Sequence, residues 1–328
     1  MITEDQSDVV DFLTSPATHG GAPVERMETH SAIVFLAGHR AYKLKRAVEF
    51  DYLDFSTAER RQAMCEAEVR LNRRTAPTLY RRVVPVTRER DGAFALGGSG
   101  APVDWVVEMH RFPQEALFDR LAASRRLDLE LMPALAAAIA GFHAAAERRS
   151  DQGGRPGMAW VVDGNAEGFT KYGAGILDPA ACRRLTGSAR VALERWGESL
   201  EERRVAGFVR QCHGDLHLRN IVLLDGRPTL FDGVEFNDAI SCTDVLYDFA
   251  FLLMDLWRRG LPRHANVAWN RYLGDTGDLG CIPLLPLFLS CRAAVRAKTS
   301  ATAARLEGDA RRRGPLEELA REYLAMAE

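Results

Sequence analysis

Residues 212–236 read CHGDLHLRNIVLLDGRPTLFDGVEF, with four acidic residues, two histidines and an asparagine set around two short apolar runs. The runs IVLL (221–224) and TLF (229–231) flank Asp225-Gly226, a dipeptide that accepts the positive φ angles of a two-residue hairpin turn. Folding at that turn makes the runs antiparallel strands. Asn220, just before the first strand, then meets Asp232, just after the second, although twelve positions separate them. A pair of oxygen donors suits a hard cation such as Mg²⁺, which prefers carboxylates and substrate phosphates. Asp215 lies five residues before Asn220 on its own loop, where a carboxylate can accept a proton from an attacking hydroxyl.

The order Asp215, Asn220, hairpin, Asp232, with His213 two places before Asp215, is that of a protein-kinase catalytic loop followed by its metal-binding aspartate. Asp225 is a turn former, and His213 reads as a buried organiser of the loop backbone. Phosphoryl transfer also requires a cation on the nucleotide phosphates and an acid to hold that cation. In RAYKLKR (40–46), strand periodicity puts Ala41, Lys43 and Lys45 on one face and Tyr42 and Leu44 on the other. A helix opened by Ser56, with STAE as a capping box, carries Glu66 and Glu68. Pairing Lys43 with Glu66 is favoured, with Lys45 and Glu68 as substitutes. Neither G-x-x-x-x-G-K-[ST] nor G-x-G-x-x-G is present. The turn ETHSA (28–32) offers backbone N–H groups and the hydroxyls of Thr29 and Ser31 to nucleotide phosphates instead.

The chain around these motifs has 328 residues, 47% apolar and 27% charged, with a formal net charge of -2. That balance gives no electrostatic case for nucleic acid. No stretch reaches the roughly 18 uninterrupted apolar residues of a membrane span. The acidic start MITEDQSDVVDF is unlike an export signal. Six cysteines without a Cys-x-x-Cys pair read as reduced core thiols of a cytoplasmic protein. Strand candidates cluster before Pro113 and Leu/Ala-rich helices after it. The expectation is an α+β, two-lobed chain: a small β-rich nucleotide-binding lobe (1–112) and a larger helical lobe (113–328) with the catalytic loop and acceptor site. SDQGGRPGMAWVVDGN (150–165) reads as a loop excursion.

HGDLHLRNI, LFDGVEF and DVLYDFAFLLMDL resemble the aminoglycoside phosphotransferase and choline kinase family, which has a protein-kinase-like fold. YKLKR, DYLDFSTAERR, RFPQEALFDRL and RAAVRAK resemble a bacterial subgroup of it, many of whose members add a carboxy-terminal P-loop domain. No such domain follows in this sequence, so a P-loop partner acting in trans is an expected alternative. The resemblance implies that Asp215 is the catalytic base, that Asn220 and Asp232 bind Mg²⁺, and that Lys43 contacts ATP phosphates with Glu66 as its partner. It further implies that main-chain groups of Glu108 and His110, in VVEMH, meet the adenine, and that Asp248 braces the catalytic loop. FDGVEF lacks a phenylalanine after the metal aspartate and no A-P-E segment follows. The expected activity is transfer of the γ-phosphate of ATP to a hydroxyl of a small molecule. A nucleotide-binding regulatory module and a metal-dependent hydrolase are the alternatives. Glu235 and Asp238 suit a cationic acceptor, and Arg292 with Arg296, one helical turn apart, an anionic one.

Overall fold

The strand Arg40–Lys45 lies inside a six-stranded antiparallel sheet. Its neighbours are Ala32–Ala37 and Ala101–His110; beyond them lie Val24–Glu28 on one side and Tyr80–Arg88 with Phe94–Leu96 on the other. Alternation sorts the side chains onto two faces. Ile33, Phe35, Leu44, Val84, Val86 and Val106 pack under the helix Ser7–Thr14, through Val9, Val10 and Leu13. Leu36, Ala41 and Val107 pack under the helix Ala58–Asn72, through Cys65 and Val69. Thr57, not Ser56, caps that helix, its hydroxyl accepting the Arg60 N–H at 3.3 Å. Ser56 donates instead to Asp54, so the capping-box reading is one residue early.

The computed structural model describes residues 2–50 and 52–328. They form two compact units, one of Met1–Arg120 with Asn220–Asn237, the other of Leu121–Arg219 with Asp238–Glu328. The division expected at Pro113 therefore falls after Arg120, and residues 220–237 belong with the sheet although they follow residues 121–219 of the other unit in the chain. The cause is local. Val222 forms a β-bridge with Leu117 and Phe231 meets Phe112 edge-on at 5.3 Å, so burial of the hairpin's apolar residues attaches it to the first unit.

The second unit is mainly helical, and its central helix, Val245–Arg258, is buried on all sides from Val245 to Leu256, as a core helix should be. The segment 150–165 is not a loop: Gly154–Tyr172 is a helix that buries Met158, Val162, Asn165 and Phe169 at helical spacing. Glycines at positive φ (Gly153, Gly154) start it, and Pro156 falls in the first turn, where a missing N–H costs no helical hydrogen bond. By length and composition the segment Leu279–Leu306 could cross a membrane. Here its apolar residues fill two helical clusters, and it carries a buried arginine, Arg292.

Candidate active site

The hairpin forms as its turn chemistry requires. Ile221–Leu224 pairs with Arg227–Leu230, and Leu224 lies opposite Arg227. Asp225 and Gly226, with φ of 47° and 74°, complete a type I′ turn. Ile221 pairs with Leu230, and the Phe231 N–H donates to the Asn220 carbonyl at 3.0 Å. Asn220 and the residue after Phe231, Asp232, thus share one end of the ribbon.

Asp232 has φ of +61°, a left-handed conformation that costs a non-glycine residue about 1 kcal/mol or more unless its surroundings impose it. They do. The Asp232 N–H donates to the Tyr80 hydroxyl at 3.1 Å, and the Gly233 N–H to Asn72 Oδ1 at 2.8 Å. Asn72 Nδ2 returns a bond to the Glu68 carbonyl at 3.0 Å. The Ala58–Asn72 helix therefore sets the backbone on which Asp232 stands.

The same helix supplies the partner for the lysines, and it is Glu68. Lys43 donates to Glu68 Oε1 at 2.8 Å and to Asp232 Oδ1 at 2.5 Å. Lys45 donates to Glu68 Oε2 at 2.6 Å and to Glu235, and lies over the Phe55 ring at 4.9 Å. Glu66, the expected partner, is exposed and takes a bond from Gln62. The reason is helical periodicity. Arg61, Cys65, Glu68 and Asn72 share the buried face, while Glu66 is two residues, about 200° of rotation, from Glu68. The sequence signal available was Cys65, an apolar position one turn before Glu68.

Two ammonium groups and three carboxylates (Glu68, Asp232, Glu235) thus share one cluster. Burial alone would push the Lys43 ammonium down, but Asp232 and Glu68 hold it well above lysine's ordinary value. Burial likewise opposes the Glu68 carboxylate, and Lys43 and Lys45 overcome it and hold the group low. Glu235 goes the other way. Burial pushes it up, Lys45 opposes that, and the Glu68 charge pushes it further up. The surplus of one carboxylate, the 43% exposed side chain of Asp232 and the buried Asn220 fit a bound divalent cation.

Two further expectations need correction. Thr29 spends its N–H and hydroxyl on Ala32, as a turn former does, so it offers phosphates nothing free. The Ser31 carbonyl accepts the Arg46 N–H, and its hydroxyl has no protein partner among the described residues. Glu108 lies within the sheet, opposite Tyr42 and Arg82, and its carboxylate is held by Arg82 at 2.7 Å and Arg40 at 3.2 Å. The His110 N–H donates to the Leu79 carbonyl and that of Arg111 to His39. Of the main-chain groups assigned to adenine, the His110 amide is thus consumed by the chain itself. Phe112, just beyond, has an N–H with no protein partner among the described residues.

Asp215 belongs to the second unit, on a loop whose backbone is gripped at two levels. Asp248 Oδ1 accepts the Gly214 N–H at 2.8 Å and Oδ2 the His213 N–H at 3.1 Å; Asp255, seven residues on, accepts the Leu218 N–H at 3.1 Å. Arg292 Nη1 donates to the Gly214 carbonyl at 3.3 Å. Gly214 has φ of +82°, which explains the glycine. Arg292 is not available to an acceptor as expected: the structure buries it between the Tyr247 and Phe251 rings, 3.8 and 4.6 Å away, as a brace. His143 extends the brace, contacting Asp248 at 3.2 Å and the Tyr272 hydroxyl at 2.8 Å. His143, Cys212 and Asp248 lie close enough to share an ion. Asp248 and His143, however, are already engaged in holding the loop, so the trio gives the hydrolase alternative no support.

The His217 Nε2 lies 3.3 Å from Asp215 Oδ2. Burial would raise the Asp215 carboxyl, but the His217, Arg296 and His213 side chains hold it far below the usual range. A carboxylate that stays ionised on a rigid loop can orient a hydroxyl and receive its proton late.

The sequence matches the phosphotransferase enzyme family (APH) over residues 34–284. Uncharacterised proteins of Mycobacterium tuberculosis (strain ATCC 25618 / H37Rv) and Mycobacterium bovis (strain ATCC BAA-935 / AF2122/97) are each 30% identical to it over 281 residues. The match covers 84% of this chain but 54% of theirs, so the chain spans about half the length of the curated relatives it matches. Among solved structures, a thermostable mutant of aminoglycoside phosphotransferase APH(4)-Ia aligns with TM-score 0.55 at 15% identity, over 96% of this chain and 98% of that one. A ternary complex of such a mutant with AMP-PNP and hygromycin B gives TM-score 0.53 at 15% identity, over 96% and 98%. Choline kinase from Cryptosporidium parvum Iowa II gives 0.55 at 10% identity, over 93% and 88%. These likenesses show the protein-kinase-like fold.

Proposed function

Since the chain belongs to the phosphotransferase enzyme family, we propose that it transfers the γ-phosphate of ATP to a hydroxyl of a small molecule. The carrying observation is the Lys43 ammonium, shared between Glu68 and Asp232. Lys43 can exchange Asp232 for a phosphate oxygen while Glu68 keeps it in place. Asn220 and Asp232 are the residues that would hold Mg²⁺. Once bound, the ion neutralises charge on the nucleotide phosphates. The Phe112 N–H is the main-chain group offered to the adenine.

Asp215 orients the acceptor hydroxyl. The acceptor oxygen bonds to the γ-phosphorus, the bond from that phosphorus to the bridging oxygen of ADP breaks, and the hydroxyl proton passes to Asp215. Because the transition state of such transfers is loose, positioning and charge stabilisation supply most of the rate. The ternary complex with AMP-PNP and hygromycin B among the similar structures supports the general class of acceptor, a small molecule.

The test is twofold. ATP should raise the melting temperature of the chain more with Mg²⁺ than without, and ADP release should rise when an accepting hydroxyl compound is added. No Mg²⁺-dependent shift would remove the nucleotide reading. A shift with no acceptor-stimulated release above the Asp215→Asn background would leave a nucleotide-binding module in place of an enzyme.

A further inference from the structure

The carboxylates that grip the 213–218 loop in the second unit are already committed. Asp248 holds the His213 and Gly214 amides, and Asp255 the Leu218 amide while pairing with Arg259 at 3.0 Å. Asp238, the acid read as a contact for a cationic acceptor, is paired with Arg149 at 2.9 Å. The three named acids are thus each engaged by a donor or a cation of this unit.

The cationic side has a surplus. Arg296 lies one turn beyond Arg292 on the helix Leu285–Leu306, and Arg292 grips the carbonyl of Gly214, the residue before Asp215. The Arg296 guanidinium lies 5.5 Å from the centre of the Tyr323 ring. It is half-buried, and no carboxylate among the described residues forms an ion pair with it. The charges of Arg296 and Asp215 act on each other without contact: each favours the ionised form of the other. Tyr323 accepts a hydrogen bond from it and Asp255 also favours its charge, but a guanidinium removed from much of its water with no carboxylate in direct contact is costly. Its planar fork of donors matches the paired oxygens of a carboxylate or phosphate.

We propose that Arg296 binds an anionic group of the acceptor, so that the compound phosphorylated is a hydroxyl compound carrying a carboxylate or phosphate. This rests on the phosphotransferase reading and names the acceptor class for it. A polycationic acceptor would bring like charge up to Arg296. An anionic one supplies the missing counter-charge and leaves its hydroxyl for Asp215.

The experiment uses the full chain with Mg²⁺ and ATP and measures ADP release with four probe sets: hydroxy acids (glycerate, gluconate), sugar monophosphates, uncharged polyols, and amines (choline, aminoglycosides). Binding of each probe is followed in parallel as a melting shift in the presence of Mg²⁺ and AMP-PNP. Turnover and binding are expected with one of the two anionic sets, and which set responds separates carboxylate from phosphate. Arg296→Gln should raise KM for that set by about tenfold to a hundredfold, the loss of a charge-assisted hydrogen bond, with kcat changed much less. Arg296→Lys should recover part of it. Arg312→Gln, an exposed arginine on the helix Ala310–Ala327, should leave KM unchanged. Should Arg296→Gln fail to fold, Arg296→Lys and the probe series still decide. A higher kcat/KM for polyols or amines, no melting shift with either anionic set, or an unchanged KM in Arg296→Gln would each overturn the inference. Loss of the Mg²⁺-ATP shift in the unaltered chain would sink the phosphotransferase reading instead.

Discussion

The charged cluster around Lys43 and the loop around Asp215 solve different holding problems. In the first unit, side chains hold side chains: two lysines are shared among three carboxylates. In the second, side chains hold main chain: Asp248, Asp255 and Arg292 grip loop amides and a carbonyl. The Asp215 side chain remains 38% exposed. Ion pairs can be exchanged for a phosphate or a metal without unfolding anything. A loop held by its backbone cannot shift without leaving buried donors unpaired. Exchangeable contacts suit the group that must accept a moving charge, and fixed ones suit the group that must stand still.

The sharpest way to break this comparison is to remove one residue from each side. Asp232→Ala should reduce turnover below that of any single loop variant and abolish the Mg²⁺-dependent part of the ATP melting shift, read by thermal denaturation. Asp215→Asn should lower kcat by ~10²–10⁴, the range of a general base, while that shift survives. Equal loss of nucleotide binding in both variants would mean that the two regions do not divide the work.

Stability provides the next contrast. Glu68→Ala removes one of the two carboxylates on each lysine, leaving Lys43 with Asp232 and Lys45 with Glu235, and should cost about 1.5–3 kcal/mol in denaturant unfolding. Glu66→Ala, on the solvent side of the same helix, should stay within about 0.5 kcal/mol. Asp248→Ala leaves the His213 and Gly214 amides without their acceptor and should cost about 2–3 kcal/mol, with kcat falling more than the KM for ATP rises.

The smallest effect is that of pH. The folded Glu68 carboxyl is held low by Lys43 and Lys45 against the effect of burial. The unfolded chain therefore binds its proton more readily, and stability rises with pH across the interval between the two values. The Glu68 contribution should be complete above about 4.5, its ordinary value, and decline as the pH falls below it. Glu235, pushed up by burial, contributes in the opposite sense. Glu68→Gln should flatten the acid side of the melting profile and Glu235→Gln should steepen it; identical profiles would show that neither carboxyl is coupled to folding.

What could be read from sequence was local. Asp225-Gly226 specifies its turn by backbone sterics, and that turn alone carries Asn220 to the end of the ribbon where Asp232 begins. Strand alternation placed Lys43 and Lys45 on one face before any partner was known. The order of Asp215, Asn220 and Asp232 within 18 residues carried the family resemblance. The choices that needed tertiary structure all concern which of several equivalent groups meets another. Glu68 rather than Glu66 faces the lysines because the buried face of the helix is set by its packing on the sheet. Arg292 is a brace because the fold buries it between two rings, whereas Arg296 rests against Tyr323 with no carboxylate among the described residues in direct contact. Sequence spacing of a few residues determines turns and faces, whereas the packing of elements remote in the chain determines partners, since an ion pair depends on a few ångströms that no local periodicity encodes.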